Sequence, residues 1–354
     1  MRVLHVSNHV IFANGNVHAA VDLACAQSAQ GYEVHYASQG GDYETLLADN
    51  GVTHHRVRQS VKSPLNLARS TLDLVRLTRK LKPDILHAHM MTGALTGKAA
   101  SLASGVPLVT TVHNAFDGHA ILMGLGDRVI GVSKAVAQNM IGRGVDAKKV
   151  VSVLNGTRNV ARRKDEPVEG VTLNHPAIMT ICGLHDRKGI RYLLKAFDAV
   201  SKTQPDAHLY ILGDGPHADQ YKAIAAEFEH ASRIHFLGMI RKTRPYLAAA
   251  DIFVLTSLQD PCPLVIPEAR EQGCAIVASD VDGIPEMLSV GNAGHLVPPA
   301  DPDALATALL ALLSDPDLLA AQREASLKGI EYFDIERVTL QTGQIYKDLT
   351  ASKR

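Results

Sequence analysis

Residues 252–288 read IFVLTSLQDPCPLVIPEAREQGCAIVASDVDGIPEML. The run opens on an aliphatic segment, Ile252–Leu255, and returns to one at Ala275–Ala278. Short apolar runs bounded by turn residues fit strands buried on both faces. Between them Pro267 suits the first position of a helix and Gly273 its C-terminal cap, so the spacing predicts a short helix beginning near Glu268. Strand, helix and strand in so short a span form a right-handed crossover between parallel neighbours. That unit decides the class: α/β, with a parallel sheet covered by helices on both faces.

The alternation extends outward. Upstream in the same half lie strands at Ala177–Cys182, His208–Leu212 and Ile234–Leu237. Helical periodicity marks Gly189–Lys202 and, downstream, Asp303–Leu313. The first half predicts strands at Val3–Val6, Glu33–Ala37, Ile85–Ala88, Leu108–Val112, Arg128–Val132 and Val150–Leu154. Its helical stretches include Ala19–Gln30, Leu65–Leu81 and Lys134–Arg143. From Arg158 to His175 the periodicity lapses and charged and turn residues gather. Two doubly wound Rossmann-type domains follow as the expectation: residues 1–160, a linker at 161–176, and residues 177–334, with a last helix in 335–354.

Composition agrees. Of 354 residues 46% are hydrophobic and 20% charged, which excludes wholesale disorder. Lys+Arg 36 against Asp+Glu 36 gives net zero charge, arguing against a dedicated nucleic-acid binder. Residues 1–165 nevertheless carry 19 basic and 11 acidic side chains, and the remainder 17 and 25, so the halves have opposite charge. The four cysteines (Cys25, Cys182, Cys262, Cys274) show neither CxxC nor zinc spacing. The opening MRVLHVSNHVIF reads as a strand rather than a signal peptide, and no run of 18 apolar residues is uninterrupted. A soluble protein of a reducing cytoplasm is expected.

In doubly wound sheets ligands bind beyond the carboxyl ends of the strands. In the first half those ends supply Asn8 and His9, His87 and His89, His113 and Asn114, Ser133, then Asn155 and Gly156. In the second they supply Gly183, Gly213, Asp214, Gly215, Gly238, Asp260, Asp280, Asp282 and Gly283. Glycines admit a bulky anion close to the backbone, and Asp accepts hydroxyl hydrogen bonds. A polar, phosphate-bearing ligand held between the two domains is the expectation.

Within residues 260–273 the amides of Leu264 and Val265 fall near a helix N-terminus, where phosphate binds. Glu268 in the first turn either accepts ribose hydroxyls or merely favours the helix dipole. Cys262 reads as a small packing residue close to that ligand. Asp280-Val-Asp282 mimics a DxD metal motif without further ligands, and His87 and His89 share one strand face with no third ligand in view. Gly213-Asp214-Gly215 lacks the third glycine of a dinucleotide fingerprint. No metal and no cofactor are therefore expected. The stretch 56–82 holds Arg56, Arg58, Lys62, Arg69, Arg76, Arg79, Lys80 and Lys82 beside an apolar stripe of Leu65, Leu67, Ala68, Leu72, Val75 and Leu81. Two readings stay open: peripheral contact with anionic lipid, or a solvated helix face over a core stripe.

The run TSLQDPCPLVIPEAREQGCAIVASDVDGIPEML resembles the nucleotide-sugar-binding segment of the retaining glycosyltransferases of family 4, which have the GT-B fold. Asp260 and Glu268 have that family's spacing of two acidic residues. VTTVHN (Val109–Asn114), VLNG (Val153–Gly156), RKGIRYLLKAF (Arg187–Phe197), YILGDGP (Tyr210–Pro216) and IHFLGMI (Ile234–Ile240) resemble further landmarks in family order. The resemblance implies two Rossmann-type domains facing across a cleft, the helix Ile335–Leu349 crossing back to the first. It implies that Glu268 holds the ribose, Asp260 the donor sugar's hydroxyls and Lys188 the diphosphate. His113 would contact the transferred sugar, the loop Ala13–Val17 with Gly15 would lie under the phosphates, and Phe236–Met239 would line the base pocket. Arg187, Gly215, Gly238, Cys262, Leu264 and Val265 complete the donor side; Asn8, His9, Asn14 and His89 stand on the acceptor side. The chain departs from the pattern at three places. Asp260 stands where the family usually has Glu, Gly183 where it has a basic residue, and Asn14-Gly15-Asn16 where it has tandem glycines.

The activity so implied is transfer of a hexose from a UDP- or GDP-sugar to an acceptor hydroxyl with retention and without metal. The acceptor would be a glycan or a lipid-linked, cell-envelope or exopolysaccharide species, met at the inner face of the membrane. The alternatives are a nucleotide-sugar epimerase or a phosphorylase on the same fold, or a non-catalytic nucleotide-sugar binder.

Overall fold

The structure, a computed structural model, describes residues 1–12, 14–59 and 63–351. In chain order the elements are β1 (Arg2–Val6), α1 (Gly15–Ala29), β2 (Glu33–Ser38), α2 (Glu44–Asp49), β3 (Thr53–Arg56), α3 (Pro64–Leu81), β4 (Ile85–Ala88), α4 (Met91–Ser104), β5 (Leu108–Val112), β6 (Arg128–Gly131), α5 (Lys134–Gly142) and β7 (Val150–Ser152). They continue with β8 (Ala177–Ile181), α6 (Ile190–Thr203), β9 (His208–Leu212), α7 (Ala218–Ala226), β10 (Ile234–Gly238), α8 (Arg244–Ala248), β11 (Ile252–Leu255), α9 (Val265–Glu271), β12 (Ala275–Ser279), α10 (Ile284–Ser289), β13 (His295–Val297), α11 (Pro302–Ser314), α12 (Pro316–Leu327) and α13 (Ile335–Ala351).

The chain divides into two units, one of Met1–Lys164 with Phe333–Arg354, the other of Asp165–Tyr332. The first holds a seven-stranded parallel sheet in the order β3-β2-β1-β4-β5-β6-β7. The second holds a six-stranded parallel sheet in the order β10-β9-β8-β11-β12-β13. Both are doubly wound, so each has a switch point where the strand order reverses, between β1 and β4 and between β8 and β11.

Local chemistry sets the element ends. Ser63 accepts the Asn66 amide at 3.2 Å and Pro64 opens α3; Asp301 and Asp315 cap α11 and α12 in the same way, each ahead of a proline. The helix after β11 starts at Val265, three residues before the expected Glu268, which puts Pro267 at its third position. Proline is tolerated there because the first-turn N–H groups have no intrahelical acceptor. Likewise α1 starts at Gly15 rather than Ala19, so most of the expected phosphate loop is already helix; Ala13 lies outside the described residues.

In the first unit, Val3, Ile85, Val109 and Ile130 of the sheet pack with Val338, Tyr346 and Leu349 of α13, so the last helix belongs to this core. On the same face, as the register of Val3 with Val34 and of His5 with Tyr36 requires, α1 supplies Val17, Val21 and Cys25 against Val34 and Tyr36. The second core runs from Ile178, Leu209 and Val254 to Leu193, Phe197, Leu305 and Leu309. The expected linker is divided between the units. Arg162 pairs with buried Asp22 at 3.3 Å in the first, and Glu166 accepts the Arg244 amide at 3.3 Å in the second. Its charges are anchors, which is why apolar periodicity lapses there. The expected apolar stripe of α3 is not core: Leu65 (59%), Ala68 and Leu72 (52%) are exposed and Leu67, Val75 and Leu81 only half-buried, while the buried face of the helix is Ser70, Leu74 and Thr78.

Candidate functional site

In the second unit the switch point brings together the loops that leave β8 and β11. Gly189, with φ +66°, lets the first approach the second; a Cβ there would stand 2.0 Å from the Thr256 carbonyl oxygen. Thr256 Oγ1 donates to the Lys188 carbonyl at 3.0 Å, and the Leu258 amide donates to the Arg187 carbonyl at 2.7 Å. This lacing delivers the Lys188 ammonium to the buried Asp260 carboxylate, where it pairs with Oδ2. The same oxygen accepts from Ser257 Oγ at 3.0 Å, while Oδ1 carries no hydrogen bond among the described residues. Exposed Arg187 reaches the Gln259 carbonyl at 3.5 Å, so both neighbouring cations lean over the β11 loop.

The loop after β12 supports this one. Asp282, at φ +48°, accepts the Asp260 amide at 2.7 Å, and the Asp260 carbonyl accepts the Gly283 amide at 3.2 Å. Partial desolvation raises the Asp282 carboxyl above its ordinary range. Asp282 thus braces Asp260, and Asp280 is exposed.

Glu268 is buried in the first turn of α9. At the start of this helix no side chain caps the N-terminus, and the half-buried Leu264 and Val265 amides make no hydrogen bond among the described residues. Two residues on, Arg270 is fully buried and donates to the carbonyls of Met287 (2.9 Å), Ser326 (3.0 Å) and Lys328 (2.8 Å), which pins α9 in place. Cys262 is buried with Sγ 3.9 Å from Met287 Sδ.

Gly215 answers a need of the chain itself: a Cβ there would meet the Leu184 carbonyl oxygen at 2.6 Å. Gly238 ends β10 and accepts the Gly213 amide at 2.7 Å. Phe236 packs against the second core, and Met239 is exposed.

In the first unit β1, β4 and β5 end side by side. Register sets His5 opposite His87. His113 directly follows β5, and its Nε2 lies 3.2 Å from His89 Nδ1. His89 Nε2 lies 2.8 Å from His5 Nδ1, and His5 Nε2 lies 2.8 Å from Gln27 Oε1. Gln27 Nε2 donates to Tyr346 Oη at 3.3 Å. Tyr346 Oη is 2.5 Å from His87 Nδ1, and His87 Nε2 is 2.7 Å from Thr111 Oγ1. Burial pushes His5 and His113 down to about 4 and His87 and His89 well below the ordinary imidazole value, so all four are neutral at physiological pH.

Among the acceptor-side candidates, both ring nitrogens of His89 are engaged within the protein, so it reaches a ligand only through His113. His9 Nδ1 accepts the Ile11 amide at 3.3 Å, and Asn14 caps α1 through the Asn16 amide at 3.1 Å. Asn8 Oδ1 is buried without a hydrogen-bond partner among the described residues. Around Gly15 a Cβ would meet nothing within 4 Å. Sequence reading missed Ser257, the bracing role of Asp282, and the trio His5, Gln27 and Tyr346. The third histidine it lacked beside His87 and His89 is His5, their ligand atoms lying within 4.8 Å of one another.

Two family models match: "Glycosyltransferase Family 4" over residues 13–158 and "Glycosyl transferases group 1" over residues 175–315. The chain is 30% identical over 297 residues to the phosphatidyl-myo-inositol mannosyltransferase of Mycobacterium tuberculosis H37Rv, covering 76% of this chain and 75% of that protein. It is 24% identical to the N-acetyl-alpha-D-glucosaminyl L-malate synthase of Bacillus anthracis, covering 93% and 92%. In fold it is similar to Anabaena HepE, crystallised with UDP and glucose, with a TM-score of 0.83, 19% identity and coverage of 98% and 100%. Two parallel sheets of this topology, an acidic pair with one member ahead of an uncapped helix and one in its first turn, and sequence agreement in both halves converge: the chain belongs to the family 4, group 1 glycosyltransferases and has their GT-B fold.

Proposed function

We propose that the protein transfers a hexose from a UDP- or GDP-sugar to an acceptor hydroxyl, with retention of anomeric configuration and without a metal ion. The observation that carries this reading is the Lys188–Asp260 pair at the switch point of the second sheet. Breaking the anomeric bond leaves positive charge on the sugar and negative charge on the departing phosphate. Lys188, with Arg187 beside it, is the cation for that phosphate, and the open Leu264 and Val265 amides add donors. Before donor binds, Asp260 holds the ammonium in place. Once the phosphate shares that ammonium, Asp260 keeps its Ser257 bond and offers Oδ1 to a sugar hydroxyl. Glu268, held by the Arg270 staple, takes the ribose. His113 is neutral and orients the transferred sugar rather than supplying charge. Because no covalent nucleophile is identified, we favour attack by the acceptor on the face the phosphate leaves.

A second observation bears on the acceptor. Leu65, Arg69, Leu72 and Arg76 follow one another at helical spacing and are all exposed on α3. Alternating apolar and cationic side chains on a solvent face favour contact with anionic lipid over the solvated-face reading. Lys62 lies outside the described residues, and among those described no single helix is long and apolar enough to cross a membrane. A lipid-linked acceptor fits that surface.

A panel of UDP-, GDP- and ADP-sugars, scored for nucleotide release with chelator and cell-envelope lipid extract present, tests the activity. Acceptor-dependent release from one donor is expected. Release needing free phosphate, or epimerised free sugar, would favour the alternatives.

A further inference from the structure

The six ring nitrogens of His5, His87 and His89 all hold hydrogen bonds, although one nitrogen from each lies within 4.8 Å of the other two. The set therefore reads as a satisfied chain of neutral rings. A neutral imidazole has one N–H and one lone pair, so a hydrogen bond at one nitrogen dictates the role of the other. That rule passes information along the chain. Gln27 presents Oε1 to His5 and its amide nitrogen to Tyr346. A carbonyl oxygen only accepts, so His5 carries its proton on Nε2 and accepts at Nδ1. His89 must then donate from Nε2 and accept at Nδ1. His113 must donate from Nε2, which leaves the lone pair on Nδ1, a nitrogen with no hydrogen bond among the described residues.

We propose that Gln27 is a positioning residue whose side-chain amide, acting through His5 and His89, fixes His113 as the Nε2–H tautomer with Nδ1 free to accept a substrate hydroxyl. The catalytic use of this tautomer rests on the proposed contact between His113 and the transferred sugar; the tautomer itself does not. Tyr346 completes the device. With its own proton given to His87 Nδ1, whose Nε2–H then donates to Thr111, Tyr346 can only accept from Gln27 and so favours this amide orientation; turning the amide over would reverse every proton in the chain. The last helix, α13, thereby sets the chemical face of a residue at the end of β5. Gln27 and Tyr346 are fully buried, so water does not compete for either amide group.

The test is long-range 1H–15N correlation of protein labelled at histidine nitrogen. In the unaltered protein His113, His89 and His5 should each show protonated Nε2 and bare Nδ1. Protonated Nδ1 on His113 overturns the proposal. Gln27→Met, close in volume but without amide groups, should give His113 a mixture of tautomers and lower turnover roughly tenfold, the loss of about one hydrogen bond, with nucleotide affinity unchanged. Tyr346→Phe should mix the tautomers in the same way. A folded Gln27→Met protein with an unmixed Nε2–H His113 also overturns the proposal. Transfer that survives His113→Ala instead refutes the sugar contact and leaves the tautomer result standing.

Discussion

Lys188 and Asp260 stand 72 residues apart in sequence, yet their side chains form an ion pair where the second sheet reverses its strand order. Both are largely withdrawn from solvent, with side-chain exposures of 12% and 6%. A pair so placed does little for stability, because removing two charges from water offsets most of their attraction. Under the proposed function its value lies in readiness: an ammonium already fixed at the strand ends would need little rearrangement when a phosphate arrives.

Asp260→Asn should therefore slow turnover by about 10²-fold, since it frees Lys188 and removes a charged acceptor for the sugar. Steady-state kinetics with donor at saturation is the check. The amide still accepts from Ser257, but the unpaired Lys188 ammonium should cost stability, read separately from unfolding midpoints; a rate within twofold of the unaltered enzyme would contradict this role.

Glu268→Gln keeps shape and burial while removing the charge that would accept two ribose hydroxyls. Nucleotide affinity should fall on the order of 100-fold, about 2.7 kcal/mol. A 2′-deoxynucleotide should lose much less affinity for the variant than for the unaltered protein. Equal losses would return Glu268 to the helix-dipole reading.

Arg270 is a structural requirement of the same helix. Its guanidinium, pushed down to about 10 by desolvation, satisfies three carbonyls at once. Arg270→Leu strands those acceptors, and roughly 3 kcal/mol of stability should be lost, read from denaturant midpoints. Arg270→Lys should recover little, because an ammonium cannot reproduce the planar fork.

Acid should unfold the first unit through its histidines. His5 and His113 fall from 6.5 to about 4 on folding, and His87 and His89 fall well below it. Between those values the unfolded chain binds more protons than the folded one, so stability rises with pH. The contribution is full above about pH 6.5 and is lost as pH drops toward 4; one such ring carries on the order of 3 kcal/mol. Urea midpoints measured from pH 7.5 down to 4.5 should decline steeply below about 6.5. A flat profile would show that the rings are not held neutral.

The α3 stripe predicts co-flotation with vesicles containing anionic lipid at moderate salt, weakened by high salt and by Arg69→Glu with Arg76→Glu. Recovery of the protein only in the unbound fraction would refute lipid contact.

Much of the fold was legible because central parallel strands are buried on both faces. Ile85–Ala88, His208–Leu212 and Ile252–Leu255 could be read at both ends for that reason. The edge strands β3 and β13 could not: Thr-His-His-Arg and His-Leu-Val are short and largely unburied, so they carry neither a continuous apolar run nor a clean alternation. At the site, the spacing of Asp260 and Glu268 exposed their kinship, and Asp260, His89 and His113 could be assigned to strand ends. Their pairing could not be assigned, because it depends on strand order. The same limit hid the link from His5 to Gln27 and Tyr346. Those three come from β1, α1 and α13, and only packing of the last helix on the first sheet joins them.

The most direct measurement is calorimetric titration of UDP and GDP into the unaltered protein and into Lys188→Met. The account predicts that one nucleotide diphosphate binds the unaltered protein, that its affinity falls at least tenfold in Lys188→Met, and that the corresponding nucleoside, lacking phosphates, is insensitive to the substitution. Equal affinity of the diphosphate for both proteins would contradict it, because Lys188 would then not be the cation that holds the leaving group.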